Sequence, residues 1–470
     1  MKNQSITGQE NLSVSSVGVA GAEKLTTGVI WAYSIPRIGF GIMGLLFGTY
    51  LMKFSTDVLL IAPAAMGALI AASRIWDGVS DPLAGYLSDR THSRFGRRRI
   101  WLFMSSVPMS LGLIMIWSPP SSLEGVMLIA WMGLALFVYE TASTAFFVPH
   151  GALGVELTPN YHERTRLYGY SHMIGALGSL LGLISLYLMD SGEDKRLWAI
   201  ILSSIAGFCI CAMVLGSTFV LPERADFQNR GSENPFRSFT DVFRNKHARL
   251  LLIVYAIETF GGATIGLLVS YIVAYVIPME NVPVDSSVFF ISVLVFYFVP
   301  QFAFAPLWIK LSTYTGKKNL WAASMWISAL VFVGYFFALN SYIMIWLLTF
   351  ILGTSGGIGA VVAPAISADI IDYDEYLTGE RKEGTYYAVW NMVRKGAASL
   401  TAIITGFVLQ WVGFEPNVEQ TETTKIVFRS LFALMPAGGY MIGALVFTRF
   451  SFNEKEHSDV RRVLATRTKT

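Results

Sequence analysis

The stretch "WDGVSDPLAGYLSDRTHSRFGRRRIW", residues 76–101, places two acids inside an apolar run and a cluster of arginines directly after it. Asp77 and Asp81 stand four positions apart, so on a helix they share one face. A carboxylate in the interior of a bilayer costs at least about 2.5 kcal/mol, so acids at such positions usually line a functional cavity. The stretch therefore predicts a membrane span with a functional site, followed by a basic loop.

The composition agrees with a membrane protein. The chain has 470 residues, of which 53% are hydrophobic and only 14% are charged. Soluble domains carry roughly 25% charged residues. The formal net charge of +3 is too small to indicate binding to nucleic acid. The only two cysteines, Cys209 and Cys211, are two positions apart in one apolar segment, and on a helix they point apart and cannot form a disulfide.

Twelve segments are long enough to cross a bilayer, which takes about 20 apolar residues per helix. The sequence therefore predicts an all-α membrane protein with transmembrane helices near residues 27–52, 58–87, 99–117, 125–149, 167–189, 197–221, 250–278, 287–311, 319–338, 342–368, 385–412 and 427–449. Lys and Arg are retained on the cytoplasmic side, and their distribution over the loops predicts that both termini are cytoplasmic.

The expected domain organisation follows from this count. Residues 1–23 are expected to form a disordered cytoplasmic tail, 24–221 a first six-helix bundle, 222–249 a cytoplasmic linker, 250–450 a second six-helix bundle, and 451–470 a second cytoplasmic tail. The two bundles contain similar sequence motifs in matching positions. "VPHGALGVELTPNYHERTRLYG" (148–169) and "APAISADIIDYDEYLTGERKEGTYY" (363–387) each run from a proline through small residues and an acid to Glu-Arg. Internal repeats of this kind indicate a transporter with a site at the bilayer midplane.

Several motifs resemble a known family. The loop after the second span has the pattern of the major facilitator superfamily, supplied here by Gly85, Asp89, Arg90, Arg94, Gly96, Arg97 and Arg98. Within that superfamily, "WDGVSDP", "ELTPNYHERT" and "DYDEYLTGERKEGTYYAVWNMVRK" resemble the glycoside–pentoside–hexuronide:cation symporters, the melibiose permease-like group. The resemblance covers nearly all of the chain beyond residue 24.

The resemblance implies the major facilitator fold and a secondary transporter, not an enzyme. Its expected activity is uptake of a sugar, glycoside or hexuronide by alternating access, coupled to Na⁺ or H⁺. No cofactor and no metal other than a transported Na⁺ are expected. The expected partners are the small-molecule substrate and the lipid bilayer, without nucleic acid, in a monomer of the bacterial inner (plasma) membrane.

The resemblance also implies a cation-coupling site. Asp77 and Asp81 match the two helix-2 acids, Thr144 matches a helix-4 threonine, and Lys395 matches a helix-11 lysine. Asn391 stands one turn before Lys395, where the family has a hydroxyl. Phe147 takes the place of the family's helix-4 acid, while near Ile35 and at His172 the usual sugar-binding acid and arginine are missing. The residues of the family's cation site are thus mostly retained in this sequence, whereas the residues of its sugar site mostly are not.

The residues themselves leave the roles of the charged groups open. Lys395 would neutralise the paired acids when no cation is bound and compete with the cation for them; the alternative is a permanent structural ion pair. Glu140, two turns before Phe147, would replace the missing acid or lie solvated near the outer half of its span. Glu258 in the seventh span is a second candidate for the cavity.

The substrate-site candidates are Tyr33, Arg37, Glu140, Phe147, His172, Glu258 and Trp390. Arg37 and His172 would, together with Lys395, suit a carboxylate, sulfonate or phosphate group. Alternatively, Arg37 pairs with Asp77 or Glu140, and His172 packs between helices. Tyr33 and Trp390 would stack on a sugar ring, or serve as packing residues.

A cytoplasmic gate is predicted from opposite charges in matching loops. Asp89, Arg90, Arg94 and Arg97 lie after the second span, and Asp372 and Arg381 lie after the tenth. Salt bridges between these loops would hold one access state and break in the other. The alternative is that the arginines only fix the topology.

Other functions are less well supported by the sequence. No Gly-x-x-x-x-Gly-Lys-Ser/Thr loop is present, which argues against transport driven by ATP. A membrane-embedded enzyme and a non-transporting sensor are the alternatives from other classes. Among transporters, the alternative substrate is an amphiphilic or anionic non-sugar such as a lysolipid. A wide lateral opening between spans 5 and 8 would favour a lipid, and a closed polar cavity would favour a sugar.

Overall fold

The computed structural model describes residues 24–158, 161–223, 242–379, 383–452 and 454–467. The predicted N-terminal tail and most of the predicted linker lie outside these residues. Within them the chain forms twelve long helices: α1 (Thr27–Thr49), α2 (Pro63–Arg90), α3 (Arg99–Trp117), α4 (Gly125–Glu156), α5 (Tyr161–Ser191), α6 (Lys195–Val220), α7 (Lys246–Val276), α8 (Ser286–Ala303), α9 (Lys317–Ala338), α10 (Tyr342–Thr378), α11 (Glu383–Trp411) and α12 (Glu422–Phe447). A short helix, Ala305–Thr315, continues α8, and α13 (Glu454–Arg467) follows α12.

Eleven helical stretches in the described part of the chain are long and apolar enough to cross a membrane. The remaining long helix is α2, which carries Arg74, Asp77 and Asp81 in its middle. Its 28 residues correspond to about 42 Å, more than the hydrocarbon thickness of a bilayer. The prediction of an all-α membrane protein is confirmed, and the twelve helices correspond to the twelve predicted spans.

Two helices extend well beyond their predicted ends. The prediction ended the fourth span at residue 149 and the tenth at residue 368, whereas α4 reaches Glu156 and α10 reaches Thr378. The apolar run stops at the earlier positions, but helical hydrogen bonding continues into the polar segments, and α4 passes through Pro149. Gly379 ends α10 in the left-handed conformation, with φ of 75°, which glycine adopts without steric cost.

Side-chain caps fix where several helices begin. The Asn245 side chain accepts hydrogen bonds from the backbone N–H groups of His247 and Ala248 at the start of α7. Asp194 accepts one from Leu197 at the start of α6. These groups have no partner inside their own helices, so the caps replace the water that would otherwise bind them.

We call α1–α6 the N-terminal half and α7–α12 the C-terminal half. The twelve helices alternate in direction, so residues 24 and 467 lie at the same end of the molecule. We call this end the terminal end, and we call the opposite end the far end. The halves touch backbone to backbone toward the far end. A Cβ on Gly406 of α11 would lie 2.5 Å from the carbonyl oxygen of Pro63, and a Cβ on Gly266 of α7 would lie 2.5 Å from that of Gly48. Only glycine permits these approaches.

Candidate functional site

The structure brings together four of the five cation-coupling candidates. The Lys395 Nζ atom lies 2.7 Å from Asp77 Oδ2 and 2.5 Å from Asp81 Oδ2. The Thr144 hydroxyl, on α4, lies 2.8 Å from Asp77 Oδ1 and 3.2 Å from Asp81 Oδ1. In each carboxylate one oxygen thus lies next to the ammonium and the other next to the hydroxyl, whose single hydrogen has its shorter contact with Asp77.

This cluster joins the two halves of the molecule. Asp77 and Asp81 lie on one face of α2 in the N-terminal half, and Lys395 reaches them from α11 in the C-terminal half. The Asp77 side chain is 11% exposed, while those of Asp81 and Lys395 are 33% and 27% exposed. The Asp77 carboxylate is thus shielded, whereas the side chains of Asp81 and Lys395 are partly accessible.

The fifth candidate, Asn391, does not join the cluster. Its side chain is exposed, and no hydrogen bond connects it to another residue that the structure describes. Phe147, which replaces the family's helix-4 acid, packs on Phe40 with ring centroids 4.2 Å apart. The Arg37 guanidinium lies 6.0 Å from the centre of the Phe147 ring. Phe147 is thus part of an aromatic contact that also borders the Arg37 guanidinium.

Glu140 is buried beside an arginine that sequence reasoning did not single out. It is 5% exposed, and its carboxylate lies 3.4 Å from the Arg74 guanidinium. The alternative of a solvated Glu140 is therefore wrong in this state. The alternative pairing of Arg37 with Asp77 or Glu140 is also not found among the described residues, because Lys395 and Arg74 hold those two acids.

A cavity of about 650 Å³ lies between the halves, next to the cluster. Arg74 of α2 and Arg394 of α11 line it, together with hydroxyl groups such as those of Ser179, Thr259 and Tyr440. Glu258 does not line this cavity but directly precedes the lining residue Thr259 on α7, and its Oε1 atom lies 3.6 Å from where a Cβ on Gly359 would stand. Arg394 directly precedes Lys395, so its position beside a recognised lysine was the signal that could have identified it.

The aromatic candidates are covered in this state. Tyr33 is fully buried and stacks on His150, with ring centroids 4.2 Å apart. Trp390 is 4% exposed and packs against Tyr386, with ring centroids 5.8 Å apart. Neither ring offers a free face to a sugar here, because other aromatic side chains already cover them. In this conformation both residues therefore serve as packing residues, which was the alternative to stacking on a sugar ring.

His172 marks a contact between α5 and α8. Its ring is exposed and lies 6.2 Å from the ring of Phe302. Nearer the far end, the Ser287 hydroxyl of α8 donates a hydrogen bond of 2.8 Å to Asp190 of α5. The two helices thus touch at two levels, and at these levels the lateral opening expected for a lipid carrier is closed.

The gate candidates in the N-terminal half form an internal network. Asp89 pairs with Arg98 at 2.9 Å, and the buried Glu156 binds Arg98 at 2.8 Å and Arg97 at 2.9 Å. Of the other candidates, Arg90 contacts Tyr86 and Arg94 lies 5.4 Å from the ring of Phe95.

The predicted partners in the C-terminal half are engaged elsewhere or not described. The His457 ring of α13 lies 3.0 Å from Asp372, and Arg381 lies outside the described residues. The ion pairs seen at Asp89 and Arg97 thus join elements of the N-terminal half, and Asp372 contacts His457 of α13. Salt bridges between the two loops remain a prediction for another access state.

A polar cluster at the far end was missed from the sequence. Asp57 accepts hydrogen bonds from Lys53 at 2.9 Å and from Tyr275 of the other half at 2.7 Å. The Asn417 amide donates to the Asp57 carbonyl at 2.7 Å. Thr56 and Tyr271 share a further hydrogen bond across the halves at 2.7 Å. These contacts join the two halves at the far end, and only folding brings Asp57 together with Tyr275 and Asn417.

Two six-helix halves, with an ion pair and a cavity between them, define a secondary membrane transporter. Residues 32–454 match the model of the MFS/sugar transport protein family, and the chain belongs to that family. Its members and the structural neighbours are transporters, not enzymes.

Individual relatives agree with this assignment. The chain is 27% identical over 443 residues to the uncharacterized symporter YnaJ of Bacillus subtilis, covering 90% of this chain and 91% of the relative. It is 24% identical over 456 residues to the glucuronide carrier protein homolog of Escherichia coli, covering 93% and 95%. The crystal structure of the nucleoside transporter NupG superposes with a TM-score of 0.66 at 13% identity, over 90% of this chain and 99% of that one, which is a likeness of fold.

Proposed function

We propose that this protein is a symporter that couples inward movement of Na⁺ or H⁺ to uptake of a sugar or glycoside by alternating access. The observation that carries the proposal is the placement of Lys395 on both Asp77 and Asp81, between the halves and beside the cavity. Relatives with printed names such as glucuronide carrier homolog and putative glycoside/cation symporter support the substrate class.

Competition between Lys395 and the cation would supply the coupling. At an effective dielectric constant of about 20, two unit charges 2.7 Å apart attract by about 6 kcal/mol, before the cost of desolvation. A cation that binds both carboxylates replaces this attraction and releases the Lys395 ammonium toward the cavity. Cation binding thereby weakens a contact between the halves and changes the charge that the substrate meets.

We further propose that the described conformation faces the cytoplasm. The far-end hydrogen bonds of Asp57 and Asp190 close one side of the cavity, and the basic loops at the terminal end favour a cytoplasmic position for that end. The protein would then lie in the bacterial plasma membrane as a monomer with both termini inside. The contacts between α5 and α8 favour a sugar over a lysolipid, which would enter through a lateral opening.

Uptake into proteoliposomes tests the proposal. An inward gradient of Na⁺, or of H⁺ in separate vesicles, is expected to drive accumulation of p-nitrophenyl glycosides above their outside concentration. The cation whose gradient drives accumulation is the coupling ion. Equilibration without accumulation under both gradients would refute coupling, and uptake of lysophosphatidylcholine alone would refute the substrate class.

A further inference from the structure

The loop between α11 and α12, residues 412–421, lies at the far end, and we call it the strap. Phe414 anchors it to the C-terminal half, because this side chain is buried and its ring lies 5.3 Å from that of Tyr275 and 5.6 Å from that of Phe428. The buried side-chain amide of Gln420 donates hydrogen bonds to two backbone carbonyls of the strap itself. The strap thus has a defined shape and is part of the C-terminal half.

Asn417, in the middle of the strap, reaches the other half. Its side-chain amide donates a hydrogen bond of 2.7 Å to the Asp57 carbonyl, and its backbone N–H donates one of 3.1 Å to the Tyr275 hydroxyl. The Tyr275 hydroxyl in turn donates to Asp57 Oδ2 at 2.7 Å. Asn417 therefore binds both residues of a contact between the halves, and the halves cannot separate there without breaking its bond to Asp57.

The backbone of Asn417 has a left-handed conformation, with φ of 62°. This conformation is unfavourable for most residues other than glycine, and asparagine tolerates it better than most. In this conformation a single residue provides both the amide for Asp57 and the N–H group for Tyr275. Backbone conformations of this kind persist where surrounding contacts fix them, and they are frequent in parts of proteins that move.

The two segments that Asn417 connects are wide helical turns. Phe54–Val58, which follows α1 and contains Asp57, and Ile272–Val276, the last turn of α7, which contains Tyr275, are both π-helical. In each turn a backbone N–H group binds the carbonyl five residues earlier, at 3.2 Å in the first and 3.1 Å in the second. Such turns are rare and occur frequently at functional sites. Since α1 and α7 are the first helices of their halves, the two turns occupy matching positions.

We propose that the strap is a latch for the far end and that Asn417 is its positioning residue, which stabilises the conformation in which the π-helical turns of the two halves meet. Opening of the far end then requires the Asn417 amide to leave the Asp57 carbonyl, while the strap stays on the C-terminal half. Asn417 does not line the cavity between the halves. It therefore acts on the balance between access states, which goes beyond the proposed function.

The distance between two spin labels, measured by double electron–electron resonance, tests the inference. Ser122→Cys in the N-terminal half and Glu280→Cys in the C-terminal half place the labels at exposed positions of the far end. The full-length protein carries Cys209→Ser and Cys211→Ser so that only these sites react. Asn417→Gly retains the left-handed conformation but lacks the amide. It is expected to raise the ratio of the long to the short distance about fivefold, the effect of one lost hydrogen bond.

Two further variants separate the hydrogen bond from other effects. Asn417→Asp also tolerates the left-handed conformation but cannot donate to the Asp57 carbonyl, so it is expected to open at least as much as Asn417→Gly. Asn340→Gly is the matched control, because Asn340 accepts a hydrogen bond of 2.8 Å from Arg429 at the same end but within the C-terminal half. It is expected to give the same distances as the wild type.

Several outcomes would overturn the inference. They are an unchanged ratio in Asn417→Gly, a ratio in Asn417→Asp equal to that of the wild type, and equal opening in Asn340→Gly. Thermal unfolding of the same samples identifies the remaining case. If Asn417→Gly lowers the unfolding midpoint and broadens both distances without changing their ratio, the strap only stabilises the C-terminal half and is not a latch.

Discussion

The ion pair between the halves gives the sharpest prediction, which concerns Lys395→Gln. In the wild type, the Lys395 ammonium lies 2.7 Å from Asp77 Oδ2 and 2.5 Å from Asp81 Oδ2. A cation reaches these carboxylates only by displacing that ammonium. The glutamine side chain is one bond shorter and carries no charge. A cation entering the variant meets two carboxylates without a competitor, so its apparent affinity is expected to rise.

The size of the effect follows from the burial of the pair. Removing one partner of a buried ion pair costs about 3–5 kcal/mol. Since the Lys395 and Asp81 side chains are 27% and 33% exposed, solvent screens part of this interaction and the lower end applies. About 3 kcal/mol corresponds to a shift of roughly a hundredfold in the dissociation constant of the cation.

Thermal unfolding of the purified protein measures this shift, because a ligand that binds the folded state stabilises it in proportion to its occupancy. The midpoint is recorded against NaCl with choline chloride as the balancing salt, and against pH in a second series. Lys395→Gln is expected to reach half-maximal stabilisation at roughly a hundredfold lower cation concentration. Without the cation it is expected to be less stable than the wild type, because two carboxylates then lack a counter-charge.

A surface lysine provides the control. Lys425 pairs with Glu422 at 3.0 Å at the far end, where the glutamate side chain is 82% exposed. Such exposed pairs contribute at most about 1 kcal/mol, so Lys425→Gln is expected to leave cation affinity unchanged. If Lys395→Gln lowers stability without changing cation affinity, the competition model is wrong and Lys395 is a permanent structural partner.

Three further predictions concern other parts of the molecule. Asp77→Asn is expected to abolish gradient-driven accumulation in proteoliposomes, because a carboxamide cannot hold the coupling cation; full accumulation would remove Asp77 from the coupling site. Tyr275→Phe removes a hydrogen bond between the halves to Asp57, worth about 1 kcal/mol, and is expected to raise maleimide labelling of a cysteine placed at Ser270 about fivefold. Unchanged labelling would show that this contact does not keep the far end closed. Glu223→Ala removes the acceptor for the backbone N–H groups that precede α3, so hydrogen exchange there is expected to accelerate about fivefold, and wild-type protection would contradict a capping role.

The helices were predictable because each is a local property of the chain. A run of about 20 apolar residues identifies a span without reference to its neighbours. The errors at the ends of α4 and α10 arise because hydrogen bonding continues where hydropathy stops. Of the site, Asp77, Asp81, Thr144 and Lys395 were predicted as neighbours through the family resemblance, and the structure places them in contact.

The remaining site residues depend on contacts that composition does not encode. Glu140 pairs with Arg74 and not with Lys395, and the ring of His150 stacks on the ring of Tyr33. Helical spacing gives the face on which a side chain lies, but the partner on that face belongs to another helix far away in sequence. For the same reason, Arg394 was not among the candidates although it directly precedes Lys395, because its place in the cavity depends on such contacts.

The sequence alone determined that this is a twelve-helix membrane protein with acids in its second span, because charge and apolar length act locally and are read directly from the chain. Only the tertiary structure decided which charges meet. Lys395 lies 314 positions from Asp81, and Asn417 lies 360 positions from Asp57, yet each pair is in hydrogen-bond contact. Packing of the two halves brings these residues together and pairs Asp77 and Asp81 with Lys395.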